Sequence, residues 1–241
     1  MTHVDLPQDL ASQDLTGAGS IFANRSFLSL WTAQVLSQLA SNMVLAGLMA
    51  TVVATTGSNT ANAVLILTFL FPAVAFSAIA GVIVERADAK LIMFGSNALR
   101  AVGTILFIFV GTNVLLIYVI NLLIATVTAF FAPAELTSIP RIVHRRHLMA
   151  ANSVFVLTVN ATFAIGFGFL GPLLLTTTGN AIAIYVVVAV MFGLAGLAIL
   201  MIPGAPPEVK TPPGAAVARR ALASLLERMS AGVHRRHETP C

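Results

Sequence analysis

The sequence has very little charge. Only 9% of its 241 residues are Asp, Glu, Lys or Arg, whereas 58% are hydrophobic. A soluble domain carries charge on roughly a quarter of its residues and uses it to cover its surface. The shortage excludes most soluble enzymes and disordered chains. A nucleic-acid partner is also excluded despite the net charge of +4, because the basic residues lie between apolar runs instead of on one face.

Residues that carry chemistry are also scarce. The one cysteine, Cys241, allows neither a disulfide within the chain nor a CxxC metal site. The long apolar runs contain no histidine, which excludes an intramembrane serine protease. The sequence contains no ATP-binding Walker motif, which argues against a self-powered pump. We therefore expect no enzyme, no cofactor and no metal site.

Long apolar runs dominate what is present. Each run reaches the roughly 20 residues that cross a bilayer, and lipid allows only helices or closed barrels. The runs lie at 27–55, 62–84, 91–111, 114–138, 150–175 and 181–202. This pattern predicts an all-α membrane protein, with a six-span transmembrane bundle at 25–203. A flexible cytoplasmic tail is expected at 1–24, and a cytoplasmic linker with a short amphipathic helix at 204–241.

The basic residues predict the orientation. Arg25, the segments 86–90 and 141–146, and the region 210–236 hold 12 of the 13 Lys and Arg residues, all in alternate connections. The exception is Arg100, inside the third run. Basic connections stay in the cytoplasm. We therefore expect a multi-pass protein of the cell inner (plasma) membrane with both termini cytoplasmic.

The connection at 81–90 resembles the loop signature G-x-x-x-D-R-x-G/D-R-R of the major facilitator superfamily. Gly81 and Arg86 match, Glu85 and Lys90 are conservative replacements, and Ala89 departs. Further similarity lies at 131–135, 139–143 and 151–152, and at the opening stretch 24–34. These stretches are similar to facilitator exporters of the macrolide-efflux and enterobactin-export subgroup.

The resemblance implies the N-terminal six-helix half of a two-bundle transporter with its substrate between the bundles. It implies secondary active transport by alternating access. The cargo would be a small, partly apolar molecule such as a drug, a macrolide or a siderophore, exported by proton antiport. The chain ends at Cys241, about where a seventh span would begin. We therefore expect a truncated fragment that does not transport, a half that pairs with a separate C-terminal half, or a homodimer.

The signature loop is predicted to act as a conformational latch. Its residues are Gly81, Glu85, Arg86, Asp88 and Lys90. Gly81 would allow close helix approach, and Glu85 would pair with Arg86, Lys90 or a helix N-terminus. The alternative is an ordinary basic loop with solvated charges.

Polar residues inside the spans are the candidates for a substrate cavity. Gln34, Gln38, Ser41 and Asn42 share one stripe of the first span. Asn121 and Thr128 share a stripe of the fourth span with Glu135. They would line a central cavity or, alternatively, form hydrogen bonds between helices.

Two charged residues are predicted to lie within the membrane. Arg100 is near the midplane and needs an acid or backbone carbonyls, for which Glu135 and Glu85 are candidates. The pair would serve coupling, or it would be a structural ion pair. Glu135 would carry the proton or, alternatively, cap the fourth helix.

Two further motifs remain. Gly171-Pro172 in the fifth span is similar to the Gly-Pro signature of facilitator antiporters and predicts a helix kink. His-Arg-Arg-His occurs at 144–147 and 234–237 and indicates basic cytoplasmic segments, since the arginines disfavour a bound cation.

Overall fold

The computed structural model describes residues 22–202, and this part of the chain is helical with no strand. A 3-10 turn at Arg145–His147 precedes the fifth α-helix, and a π-helical segment at Gly166–Leu170 follows it. The helices are α1 (Arg25–Thr56), α2 (Asn59–Arg86), α3 (Ala89–Val110), α4 (Val114–Ile142), α5 (Leu148–Ile165), α6 (Gly171–Thr178) and α7 (Ala181–Leu200).

Six of the described segments are long and apolar enough to cross a membrane. They correspond one to one with the predicted runs, and α5, the π segment and α6 together make the fifth span. The predicted fold class, an all-α six-helix membrane bundle, is confirmed. The predicted linker at 204–241, and the tail up to residue 21, lie outside the described residues.

Side-chain caps and glycines set the helix ends. Gly57 and Gly179 end α1 and α6 with φ of 63° and 66°, in the left-handed region that glycine adopts without strain. Four N-cap side chains accept a backbone N–H of the first turn, namely those of Asn24, Asp88, Asn113 and Asn180. Turn residues between apolar runs therefore mark the boundaries accurately.

The helices pack as pairs around a shared interior. α1 packs against α7 and the fifth span, α3 against α4 and α7, and α2 along α4. The interior has two apolar clusters at opposite ends of the bundle. One contains Phe27, Met93 and Phe131, and the other contains Leu48 and Phe107.

One end of the bundle carries the basic residues and is called the basic end here. Asn24 donates to the carbonyl of Ile142 at 2.9 Å, which joins the start of α1 to the end of α4. Lys90 Nζ donates to the carbonyl of Leu200 at 2.9 Å, which joins the start of α3 to the end of α7. At the opposite end, the connections 57–58, 111–113 and 179–180 contain no charged residue.

The outer surface is apolar. Phe109 is 80% exposed, Val74 is 74% exposed and Leu115 is 70% exposed. Water would make such a surface unstable as a monomer, whereas hydrocarbon chains are a matching solvent. The exposed surface therefore fits a membrane environment as well as the helix lengths do.

Candidate functional site

A buried layer of polar side chains lies between the two apolar clusters along α1 and α3. It consists of Gln34 and Ser37 on α1, Asn97 and Arg100 on α3, and Glu135 on α4, and is called the polar layer here. All five residues are between 0% and 6% exposed. On α1 and α3 the members are three residues apart, which places them on one face of each helix.

A hydrogen bond connects α1 to α3 within this layer. Ser37 Oγ donates to Asn97 Oδ1 at 2.8 Å, with both groups buried. The other side of Asn97 faces α7 at Gly196, where an added Cβ would lie 3.7 Å from the Asn97 Cβ. The contact between Ser37 and Asn97 thus fixes the spacing of α1 and α3 at the level of the charged residues.

Arg100 lies at the centre of the layer. Its Nε donates to the carbonyl of Ser96 at 3.3 Å, one turn earlier on α3. Its Cζ is 4.4 Å from the ring centroid of Phe131 on α4 and 5.0 Å from that of Phe192 on α7. Both distances are within the range of cation–π attraction. The guanidinium therefore contacts three helices.

Glu135 lies near Arg100 but does not hydrogen-bond to it. The two side chains interact electrostatically within the bundle. Among residues 22–202, Arg100 Nη2 and Glu135 Oε1 have no hydrogen-bond partner, and the same is true of Gln34 Oε1 and Asn97 Nδ2. Buried polar groups rarely lack a hydrogen-bond partner, because each such group lowers the stability of the fold.

Two predicted roles of the acids are wrong. Glu85 is exposed at the end of α2, so it does not neutralise Arg100. Glu135 does not cap α4, because it is 6% exposed and the helix continues to Ile142. Helix spacing placed both acids near the basic end, but the packing of α3 against α4 brings only Glu135 to Arg100.

The predicted cavity residues of α1 do not form one wall. Gln34 is 2% exposed and belongs to the polar layer, whereas Gln38, Ser41 and Asn42 are partly exposed. Ser41 Oγ donates to the Ser37 carbonyl of its own helix at 2.8 Å. Asn42 faces the fifth span, where an added Cβ on Gly166 would lie 3.0 Å from the Asn42 Cβ.

On α4, the predicted cavity residue Asn121 contacts α2 instead of lining an open wall. Its Nδ2 donates to Thr68 Oγ1 at 2.8 Å and to the Leu65 carbonyl at 3.4 Å. Asn121 therefore fits the alternative hypothesis, hydrogen bonding between helices. Thr128 Oγ1 donates to the Ile124 carbonyl of its own helix at 2.8 Å.

Three of the candidates nevertheless border one small cavity. Ser41, Asn121 and Thr128 line it together with Phe69 and Phe192. Its volume is about 10 Å³, which is room for about one water molecule. Phe192 therefore faces this cavity and also lies against Arg100.

Larger spaces lie elsewhere. A cleft of about 540 Å³ opens at the end opposite the basic residues, where Thr51, Phe107 and Tyr185 are among its lining residues. The Thr51 and Tyr185 hydroxyls are 3.0 Å apart there. A groove of about 330 Å³ runs between α2 and α4, and its lining includes Ala73 and Ala129.

The signature loop is arranged differently from the prediction. Lys90 does not pair with Glu85, because its Nζ donates to the carbonyls of Leu200 and Ile202 after α7. Asp88 caps α3 by accepting from the Lys90 backbone N–H at 2.9 Å. Glu85 and Arg86 are exposed.

Gly81 has no close helix neighbour in the described bundle. An added Cβ there would meet no atom within 4 Å. The glycine that the signature supplies is therefore not needed for packing among residues 22–202, and the predicted close approach does not occur within this bundle.

The fifth span changes helix type where the glycines are. The π segment Gly166–Leu170 directly precedes Gly171-Pro172. An added Cβ on Gly171 would lie 2.7 Å from the Ala46 Cβ, so this glycine allows close contact with α1. Of the two His-Arg-Arg-His stretches, 144–147 includes the 3-10 turn, and 234–237 lies outside the described residues.

Sequence reasoning missed four residues of this site: Ser37, Asn97, Phe131 and Phe192. A signal existed for the first two, because each lies three residues from a polar residue already singled out. Phe131 opens the stretch 131–135 that is similar to facilitator exporters, but nothing in the sequence marked the ring of Phe131 or of Phe192 as a partner of the guanidinium. Only the packing shows which rings face the guanidinium.

Comparison with known proteins agrees with this architecture. The family model of the Major Facilitator Superfamily matches residues 30–234. A search of curated proteins found no match. Six apolar helices and a match over most of the chain make it a multi-pass membrane transporter, and the chain belongs to the Major Facilitator Superfamily.

Proposed function

We propose that the protein is a secondary active transporter that exports a small, partly apolar molecule by proton antiport. The observation that carries this proposal is the buried Arg100–Glu135 pair. These are the only charged residues buried within the described part of the chain. Charged groups inside a membrane bundle are costly and mark ion pathways or coupling sites.

Glu135 is the proton carrier in this proposal. Its carboxyl group is neutral when protonated, so the positive charge of Arg100 then has no counter-charge. Loss of the proton creates a carboxylate that attracts the guanidinium through a medium of low dielectric constant. The two protonation states thus favour different arrangements of α3 and α4, as a coupled transporter requires.

The direction and cargo rest on the resemblance to facilitator exporters. The similar stretches at 131–152 and 24–34 include Phe131 and Glu135 on α4 and Gln34 on α1, which belong to the site or border it. The larger cavities of the bundle are mostly apolar in lining. A drug, a macrolide or a siderophore with an apolar part fits this environment.

In this proposal the protein lies in the cell inner (plasma) membrane, its basic end faces the cytoplasm, and both termini are inside. Arg25, Arg86, Arg141 and Arg146 are exposed at that end. The connections at the other end have no charge. This is the asymmetry expected from the positive-inside rule.

Alternating access needs a second six-helix unit that moves against this one. The groove between α2 and α4 is the contact surface we propose for it, because Ala73, Ala125, Ala129 and Ala132 allow close helix approach there. Gly81 extends the same open face of α2. A separate chain or a second copy in this place would make the protein one subunit of a split or homodimeric transporter.

The test is proton-driven transport by the full protein in inverted membrane vesicles. Ethidium, erythromycin and a ferric siderophore serve as probes, and an acid interior supplies the gradient. At least one probe should accumulate, and nigericin should abolish accumulation. Glu135→Gln should remove gradient-driven accumulation while downhill exchange of the same probe remains. Accumulation by Glu135→Gln equal to that of the unmodified protein would exclude the proposed proton carrier.

A further inference from the structure

Two groups on α4 are suited to bind the Arg100 guanidinium: the ring of Phe131 and the carboxylate of Glu135. Its guanidinium carbon lies 4.4 Å from the Phe131 ring centroid. Glu135 follows Phe131 by four residues, about one turn or 6 Å along α4. In the described arrangement Arg100 lies against the ring, and its Nη2 and the Glu135 Oε1 have no hydrogen-bond partner.

A second ring completes the aromatic site. The guanidinium carbon is 5.0 Å from the Phe192 ring centroid, and Phe192 belongs to α7. Phe131 is 3% exposed and Phe192 is 1% exposed, so water does not compete for the cation there. A desolvated cation gains most from aromatic faces when no anion is within contact.

We infer that Phe131 and Phe192 form an aromatic clamp that holds Arg100 while Glu135 is protonated and releases it to Glu135 when the carboxyl ionises. The inference rests on the proposed function, because it assumes that Glu135 exchanges protons. It adds positioning roles for Phe131 and Phe192, neither of which the sequence alone assigned to the site. The ionisation itself breaks the O–H bond of the carboxyl group, and the proton leaves to water.

The clamp connects the charged pair to the small cavity. Phe192 borders the cavity that Ser41, Asn121 and Thr128 also line. Because Phe192 packs against both the guanidinium and this cavity, movement of Arg100 away from the ring would change the packing at the cavity wall. The protonation state of Glu135 and the shape of the cavity are therefore linked through one side chain.

Among the side chains that the structure describes, Arg100 is the only other charged one that is buried. α3 contributes Arg100, and the part of α1 at this level contributes the neutral Gln34 and Ser37. The charged residues of α2 and of the turn before α5 that the structure describes, Glu85, Arg86 and Arg146, are exposed at the basic end. A pH response of Arg100 would thus report Glu135.

The test is arginine-selective ¹⁵N NMR of the full protein in detergent micelles from pH 5 to pH 9. The Arg100 Nε–H resonance is identified by its loss in Arg100→Lys. Ring currents should shift it upfield at pH 5, and it should move downfield as the pH rises. In Glu135→Gln it should stay upfield throughout.

Conservative changes of the rings separate the clamp from general packing. Phe192→Leu removes one ring, which disfavours the clamped, protonated state, so the transition midpoint should move to lower pH. Phe107→Leu is the matched control, because Phe107 is equally buried but its ring pairs with Tyr185, at 5.5 Å between centroids. That variant should keep the original midpoint.

Each outcome decides one of the two proposals. An Arg100 resonance that does not respond to pH, or that responds equally in Glu135→Gln, overturns the clamp. If Glu135→Gln still abolishes gradient-driven transport in that case, the proposed function stands without the clamp. If the resonance responds as expected but Glu135→Gln transports normally, the clamp stands and proton antiport through Glu135 fails.

Discussion

Gly171→Ala should weaken the contact between α1 and the fifth span. The new Cβ would lie 2.7 Å from the Ala46 Cβ and 3.1 Å from the Gly166 carbonyl oxygen. Ordinary contacts begin at 3.4 Å, so the helices must separate by about 0.7 Å, the difference 3.4 − 2.7. Alanine has no side-chain rotamer that could relieve the clash.

The cost follows from overpacking. Extra methyl groups in a packed interior typically cost about 1–3 kcal/mol. We expect a loss in this range for the free energy of unfolding. The measurement is unfolding in mixed detergent–SDS micelles, followed by fluorescence of Trp31, the single tryptophan of the chain.

The chain supplies a matched control three residues away. An added Cβ on Gly168 would meet no atom within 4 Å, although Gly168 lies in the π segment that directly precedes Gly171. Gly168→Ala should therefore leave the free energy of unfolding within about 0.5 kcal/mol of the unmodified protein. Equal stability of the two variants would refute the close packing of α1 against the fifth span.

Three further predictions address the loop and the helix contacts. Arg86→Ala should abolish export but leave membrane insertion intact. Arg25→Ala, which changes an exposed basic residue outside the signature loop, should transport normally. Unchanged efflux by Arg86→Ala would refute the predicted role of the signature loop as a latch. Ser37→Ala should lower the free energy of unfolding by about 1 kcal/mol, because a buried amide loses its donor. Asn121→Leu should lower the free energy of unfolding by about 0.6 kcal/mol through lost hydrogen bonds to α2, whereas Thr128→Val, whose hydroxyl bonds within its own helix, should lower it less. The same unfolding assay measures these two variants and Ser37→Ala.

The spans could be predicted closely because two signals coincide in a membrane protein. Hydrophobic length marks each crossing, and turn chemistry marks each end. The run predicted at 114–138 shows the limit, because α4 continues beyond it to Ile142. Apolar content falls toward the basic end, but the helix is stabilised there by packing that hydropathy does not report.

The site was predicted only in part, because helix rotation is not encoded in spacing alone. Spacing placed Gln34, Gln38, Ser41 and Asn42 on one stripe of α1. It did not show that Gln34 faces the interior at 2% exposure while Asn42 faces the fifth span. Which neighbour covers each part of a stripe depends on how helices that are distant in sequence pack together. The contacts of Arg100 with Phe131 and Phe192 could not be predicted for the same reason.

The incomplete hydrogen bonding of the polar layer fits a protein with two states of similar free energy. A layer in which Arg100, Glu135, Gln34 and Asn97 were all satisfied would stabilise one helix arrangement strongly and resist change. Substrate or proton binding can shift an equilibrium only by its differential affinity for the two states, typically a few kcal/mol. We expect that a network in which Arg100 Nη2 and Glu135 Oε1 have no hydrogen-bond partner keeps the gap within that range. The double variant Glu135→Gln/Arg100→Leu should therefore have a higher free energy of unfolding than either single variant, and it should lose gradient-driven transport. A stable double variant that still transports would contradict this account.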